Sequence, residues 1–380
     1  MKGRRPRPKT KDQSSASKVR WYRRPVLRSG PTAVTLAPGR RLGRLALSAA
    51  ACVALGVVQR DIALERPIDA AVQTSNSASS DALEVLAVRP PNVFMIAGAG
   101  GNIAVQIGED GVVVVDAGST ASAPAILAAI KRISPKPIRY IIDTGPDADH
   151  VGGNEALSKA GDTFFPGTRP AGPRPDPTRA VATILAAEGV ALHMSASGSA
   201  STGSPAGLPT DTFHYARKYL YLNGEPIEVL HQPAAHTDSD VFAFFRRSDV
   251  VVAGDILDTR HFPVIDSERG GSIDGEIAAL NRLAELAVPS VPIVSREAGT
   301  IVIPGHGRLC DHFDVIEYRD MITIVRDRVR DLVTSGRSLE QVKAAAPAAG
   351  YAGRYGNAGG DWTTDQFVEA VYRSLAKEKP

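Results

Sequence analysis

Four times along this chain a short apolar run breaks into a cluster of Asp, His and Gly. IRYIID (Ile138–Asp143) runs into DTGPDADHVGGN (Asp143–Asn154), and PIEVLH (Pro226–His231) precedes AAHTDSD (Ala234–Asp240). DVVVAG (Asp249–Gly254) opens into AGDILD (Ala253–Asp258), and TIVIPG (Thr300–Gly305) into IPGHG (Ile303–Gly307). Runs this short and this rich in Val and Ile read as buried strands. Loops at strand ends are where a sheet can gather ligands for a divalent ion, and His with Asp in short clusters is the composition such a site needs. The two cysteines, Cys52 and Cys310, can make neither a disulfide framework nor a Cys-only zinc site, so a metal here must be held by His and carboxylates.

The rest of the chain supplies a scaffold for those strand ends. NVFMIAG, NIAVQIG and GVVVVDAG follow one another from Asn92, with Glu109–Asp110–Gly111 as a hairpin signal, and read as an antiparallel meander. ASAPAILAAIKRI, with Pro124 in its first turn, reads as a helix. Residues 166–178 and 195–211, rich in Gly, Pro, Ser and Thr, read as surface excursions flanking a helix around Thr178–Glu188. A further helix is expected near Glu276–Ala287. The last seventy residues read as helical, with Val315, Tyr318, Ile322, Val325, Val329 and Leu332 along one stripe. Ser338 with Gln341, and Thr363 with Gln366, have capping-box spacing.

A net charge of +3 conceals an asymmetry. Fourteen of the 44 Lys and Arg and one of the 41 acids fall in residues 1–44, leaving the remainder with 30 bases against 40 acids. The basic charge therefore belongs to a leading segment and gives no reason to read nucleic acid as a partner. Arg40, Arg41 and Arg44 precede the 14-residue apolar run Leu45–Val58, short of the roughly 20 residues of a membrane span and suited to the apolar region of a signal sequence. The expectation is an exported protein, periplasmic or membrane-anchored, touching a membrane only through that segment. The expected organisation is a basic, signal-like region over 1–60, a linker over 61–90, a metal-binding domain over 91–310 and a C-terminal helical extension over 311–380.

The four clusters, in order and spacing over residues 91–310, resemble the metallo-β-lactamase superfamily. The first motif of that family is T-H-x-H-x-D-H followed by Gly-Gly. Here the same frame reads Thr144–Gly145–Pro146–Asp147–Ala148–Asp149–His150–Val151–Gly152–Gly153. Asp149 and His150 match, whereas Gly145 replaces the first His and Asp147 the second. His236 in AAHTD, Asp255 in GDILD and His306 in PGHG match the remaining positions. The resemblance implies an α+β, four-layer αββα sandwich with extra C-terminal helices. It implies a metal-dependent hydrolase acting through metal-activated water on a small ester, thioester, lactone, amide or phosphodiester. A non-catalytic metal- or ligand-binding protein with a degenerate site and an iron-dependent redox relative are the alternatives.

Mapped through the resemblance, Asp149, His150, Asp255 and His306 make one complete metal site, with Asp149 also orienting or deprotonating the water. The other site keeps His236 and the shared Asp255, with Asp147 as a substitute. Glycine offers no ligand, so the expectation is one tightly held divalent ion, foremost zinc, and a second held weakly. Carboxylate in place of imidazole shifts preference toward manganese or iron. His193, His214, His231, His261 and His312 fall outside the clusters and read as structural or surface imidazoles. Cys310 reads as a packed thiol, and Gly98, Gly100 and Gly101 as a turn rather than a dinucleotide fingerprint.

Overall fold

Val112–Val115 consists of four consecutive valines, each fully buried, and a run with no exposed alternation requires cover on both faces of its sheet. Both covers are present. Val113 and Val115 enter an apolar layer with Val229, Val241, Ala243, Phe245 and Val252, while Val112 and Val114 enter another with Ile126, Ile130 and Leu157. This alternation makes the chain a four-layer αββα sandwich of the α+β class, as expected from its sequence. The computed structural model describes residues 83–163, 181–196, 205–291, 299–356 and 362–377.

The first sheet has seven strands in chain order: β1 (Glu84–Arg89), β2 (Val93–Ala99), β3 (Gly101–Ile107), β4 (Val112–Val115), β5 (Ile138–Ile142), β6 (Thr183–Ala187) and β7 (Asp211–Phe213). β2 to β4 form the expected antiparallel meander, β1 adds an antiparallel edge strand to it, and β4 to β7 run parallel. The second sheet has the order β12 (Ile301–His306), β11 (Val250–Asp258), β10 (Asp240–Phe245), β9 (Glu225–Gln232) and β8 (Arg217–Leu222). Within it only β11 and β12 are parallel.

Helices α1 (Ala123–Ile133), α2 (Ala148–Val151), α3 (Asn154–Ala160) and α4 (Glu188–Ala196) belong to the first sheet's half. The second sheet is covered by α5 (Ile273–Leu286), α6 (His312–Thr334), α7 (Leu339–Ala344), α8 (Ala352–Tyr355) and α9 (Thr364–Lys377). The stripe anticipated on α6 is the one it buries: Val315, Tyr318, Ile322, Val325 and Val329 share one core with Leu280, Leu283, Phe367 and the outward-facing Phe242 and Phe244. The C-terminal helices thus complete the outer layer that α5 begins. Ser338 and Gln341 form the expected capping box, and the Thr363 and Gln366 side chains each satisfy the other's backbone N–H.

Two sequence expectations are corrected. The helix placed around Thr178–Glu188 is, where described, strand β6 followed by α4; TILAA has helix-forming residues, but its burial between two parallel neighbours decides its conformation. The stretch 61–90, expected as a linker, contains β1, an edge strand in which only Val88 is buried. Edge strand β8 was not anticipated either, its exposed Tyr219 and Tyr221 masking the strand pattern. The apolar run Leu45–Val58 and the excursion over 166–178 lie outside the described residues. Among the described residues no helix is long and apolar enough to cross a membrane.

Candidate metal centre

Parallel pairing of β4 with β5 and of β11 with β12 sends four strand C-termini to the same end of the sandwich. β4 is followed by Asp116, whose φ of 64° lies in the left-handed region that Asp tolerates. Its buried carboxylate accepts from Thr144 N and Thr144 Oγ1, both at 2.8 Å, and lies 2.8 Å from His150 Nδ1. β5 leads into the loop capped by Asp147, and α2 then presents Asp149 and His150. The Gly-Gly pair after α2 is required by packing: a Cβ on Gly153 would stand 2.1 Å from Ala117 O, and one on Gly152 2.4 Å from Ala148 O.

With Nδ1 held by Asp116, His150 turns Nε2 toward Asp255 Oδ1, 3.0 Å away on β11. His306, at the end of β12, places Nε2 3.2 Å from Asp149 Oδ2 and 3.3 Å from Asp255 Oδ1. Its Nδ1 lies 2.6 Å from an Arg260 guanidinium nitrogen. Asn102 donates to Pro304 O and Gly307 O on either side of this histidine, at 2.9 and 3.0 Å, and so fixes its turn. Asp149, His150 and His306 offer ligand atoms that all lie within 4.8 Å of one another.

His236 sits between β9 and β10. Its Nδ1 donates to Val264 O at 2.7 Å, and its Nε2 lies 2.6 Å from Asp147 Oδ2 and 4.0 Å from Asp255 Oδ2. Asp147, His236 and Asp255 form a second group within 4.8 Å. Asp255 therefore divides its oxygens, Oδ1 toward His150 and His306 and Oδ2 toward His236. The remaining oxygen of Asp147 accepts from Arg269 at 2.6 Å.

All six sequence-predicted residues, Asp147, Asp149, His150, His236, Asp255 and His306, thus meet at one end of the sandwich. Gly145 lines no ligand group; the nearest atom to a Cβ there would be Asp240 Oδ1 at 3.5 Å. A cleft of about 330 Å³ opens over the cluster, walled in part by Arg260, His261 and Arg269. His261, read from the sequence as lying outside, is in that wall and 3.1 Å from Asp258. The others stay outside it: His231 bonds to Asp238 O, His193 to Asp238 Oδ1, His312 to Ala287 O, and His214 lies tilted against Tyr215. Cys310 is buried, and burial pushes its thiol up to about 12, in keeping with a packed, unreactive side chain.

Burial alone would neutralise these groups, and their mutual attraction outweighs it. Burial opposes the charged form of His150, yet Asp255 and Asp116 hold its pKa well above the ordinary imidazole range. Burial likewise opposes ionisation of Asp255, and His150, then His306 and His236, bring its pKa well below the usual carboxylate range. His236 is raised to about 10 against its own burial, chiefly by its hydrogen bond to Asp147. Without an ion the cluster is thus an array of carboxylates neutralised by imidazolium protons.

The donor set fits a divalent ion on its chemistry. Each group mixes imidazole nitrogen with carboxylate oxygen, a combination suited to zinc and, as oxygens accumulate, to manganese or iron. His150 and His236 are oriented through Nδ1 by a carboxylate and a backbone carbonyl, the arrangement that presents Nε2 to a metal.

Sequence reasoning missed Asp116, Arg260 and Arg269. Asp116 carried a usable signal, because Val112–Val115 breaks into Asp-Ala-Gly just as the other strands break into their clusters. The glycine turn has a role beyond a turn: a Cβ on Gly101 would lie 2.7 Å from His150 Cε1, and one on Gly100 2.8 Å from Asp149 Cβ. These glycines give the two ligands their space.

Residues 96–192 match the family model described as Metallo-beta-lactamase superfamily, a stretch that includes Asp147, Asp149 and His150 but ends before His236. Among solved structures, the chain is similar to the stereoselective inverting sec-alkylsulfatase Pisa1 from Pseudomonas sp. (15% identity, TM-score 0.54, covering 77% of this chain and 50% of that one). It is also similar to a metallo-beta-lactamase from Pontibacter korlensis (17% identity, TM-score 0.46, covering 64% of this chain and 99% of that one). The chain spans about half the length of the alkylsulfatase. None of the curated proteins matches it in sequence.

Proposed function

We propose that this chain, whose residues 96–192 match the metallo-beta-lactamase superfamily model, is a metal-dependent hydrolase of a small ester, thioester, lactone, amide or phosphodiester. The observation that carries the reading is the convergence of Asp149, His150, His306 and the inner oxygen of Asp255 beneath an open cleft. These four residues would hold the ion. When bound, a divalent ion lowers the pKa of water toward ~7 and polarises the scissile carbonyl or phosphoryl group.

The protein's own contributions follow from exposure and hydrogen bonding. Asp149 is 38% exposed, against 1% for His150 and 19% for Asp255. It is the carboxylate of the cluster that most faces the cleft, and it orients water and accepts its proton. Asp116 fixes the ring of His150 with Nε2 turned to the cluster. Zinc is the proposed ion, with one equivalent bound tightly. Export, proposed from the N-terminal sequence, would be tested by fractionation, and an intact N-terminus on cytoplasmic protein would count against it.

The function is tested by elemental analysis beside activity on chromogenic esters, thioesters, phosphodiesters and a cephalosporin. About one bound metal per chain and hydrolysis of at least one class are expected, both abolished in His306→Ala. Because binding to the native state adds to stability, that variant should also melt lower in the presence of zinc. Metal binding without hydrolysis of any class would favour a non-catalytic binding protein, and absence of metal would overturn the reading.

A further inference from the structure

Asp147 stands where the family pattern has an imidazole, and both of its oxygens are engaged: Oδ2 with His236 Nε2 and Oδ1 with an Arg269 nitrogen, each at 2.6 Å. The guanidinium is not a passing neighbour. Asp266 Oδ2 accepts from Arg269 Nε at 2.7 Å, and Asp266 Oδ1 accepts from the backbone N–H groups of Glu268 and Arg269 at 2.9 and 3.0 Å.

The loop carrying Arg269 is bonded to the turn that carries His236. Asp266 N donates to His236 O, and Asp238 N donates to Arg269 O, both at 2.9 Å. A Cβ on Gly271 would stand 2.1 Å from His236 O, so the loop is pressed directly onto that turn. A charged side chain anchored at both ends, 27% exposed and at the wall of the cleft, is a built feature.

Its consequence follows from charge. An arginine is always protonated and only donates, so it can neither ligate a metal nor yield its charge to one. Asp147 is the carboxylate of the Asp147–His236–Asp255 group that is not shared with the other group, and Arg269 already occupies one of its oxygens. A metal there would have to share that carboxylate with a fixed cation and draw its remaining charge from Asp255, which faces the other ion as well.

We propose that the Arg269 guanidinium, clamped on Asp147 by Asp266, stands in for the second metal ion, so that this site works with one divalent ion and one arginine. The proposal rests on the metal-dependent reading above. It assigns Arg269 as a positioning residue that holds Asp147 and places a fixed cation on the His236 side of the cleft without a metal.

The test is zinc titration of the full chain by calorimetry, with bound metal counted by elemental analysis and folding followed by melting temperature. The wild type should bind one zinc tightly, and Arg269→Met should bind two, the dissociation constant for the second equivalent falling by about tenfold or more, within the usual range of a coupling between sites. Added guanidinium ion should weaken that second equivalent in Arg269→Met and leave the wild type unaffected. Asp266→Asn, which releases the clamp but retains the arginine, should move the second equivalent in the same direction and serves if Arg269→Met does not fold. A wild type holding one zinc, with no gain in either folded variant, overturns this proposal alone. Two equal zinc ions in the wild type also overturn it while leaving the hydrolase reading standing; no zinc in the wild type overturns both.

Discussion

Asp116 Oδ2 lies 2.8 Å from His150 Nδ1, joining a residue just beyond β4 to one on α2 through a contact that both side chains make at 1% exposure. This carboxylate sets the ring orientation and the tautomer that leaves Nε2 for the cluster. Asp116→Asn keeps the shape but removes the charge, and one of its amide faces must then meet a donor from Thr144 or His150. Loss of such an orienting partner weakens metal binding by roughly 10–100-fold, which is the drop expected in zinc calorimetry; unchanged affinity would assign Asp116 to folding alone.

Gly101 offers a steric test of the same ligand. Its Cβ would fall 2.7 Å from His150 Cε1 and 2.8 Å from Nε2, inside any real contact distance. Gly101→Ala should displace the imidazole and lower zinc affinity by at least about tenfold, within the range for a disturbed ligand shell. The control is Gly353→Ala on α8, where a Cβ meets nothing within 4 Å. It should leave zinc binding unchanged and raise stability slightly, by up to about 1 kcal/mol for a helical glycine. Equal zinc affinity in wild type and Gly101→Ala would show that the ring relocates at no cost.

The parts of this site differ sharply in how legible they are in the sequence. Valine runs such as Val112–Val115 and Val250–Val252 declare themselves as strands because burial on both faces leaves no polar position to confuse the pattern. The ligands at their ends follow from the same logic. β6 is not legible as a strand because TILAA is made of residues that also favour helices, and its two parallel neighbours decide the matter. Arg269 was invisible for a different reason. An arginine beside two glycines in a polar loop looks solvated, and the 122 residues that separate it from Asp147 are closed only by the fold.

The imidazolium character of the metal-free cluster gives a pH dependence with opposite signs for the two states. His236 has its pKa raised from 6.5 to about 10, so the stability drawn from its pairing with Asp147 is complete below about 6.5 and is lost as pH rises through about 10. Metal binding needs the neutral ring, so it must displace that proton, and His150, whose pKa is also raised, behaves in the same sense. Metal-free protein should therefore melt lower across this window, by roughly 1–2 °C per kcal/mol lost in a chain of this size, while zinc affinity rises across it. Calorimetry in buffers of different ionisation enthalpy should show protons released on loading. Zinc binding with no proton release would contradict the paired, protonated array.

Restoring the family pattern in the first motif is the most demanding test of the donor count. Gly145 supplies no ligand and Asp147 supplies only oxygen, itself occupied by Arg269. Gly145→His with Asp147→His adds two imidazoles and removes the carboxylate to which the guanidinium is clamped. The backbone leaves room to begin the first side chain, since a Cβ on Gly145 meets only Asp240 Oδ1, at an ordinary contact distance of 3.5 Å. Pro146 is the obstacle: it fixes its own φ and restricts the residue before it, so the new ring at 145 must reach the cluster from an extended backbone. With three imidazoles and Asp255 available, the double variant should hold two zinc ions per chain where the wild type holds one tightly. Elemental analysis after dialysis against trace zinc reads this directly, and Gly145→His alone should give an intermediate result because Arg269 still holds Asp147. A folded double variant that remains at one zinc would show that the loop geometry, rather than the missing ligands, limits the site.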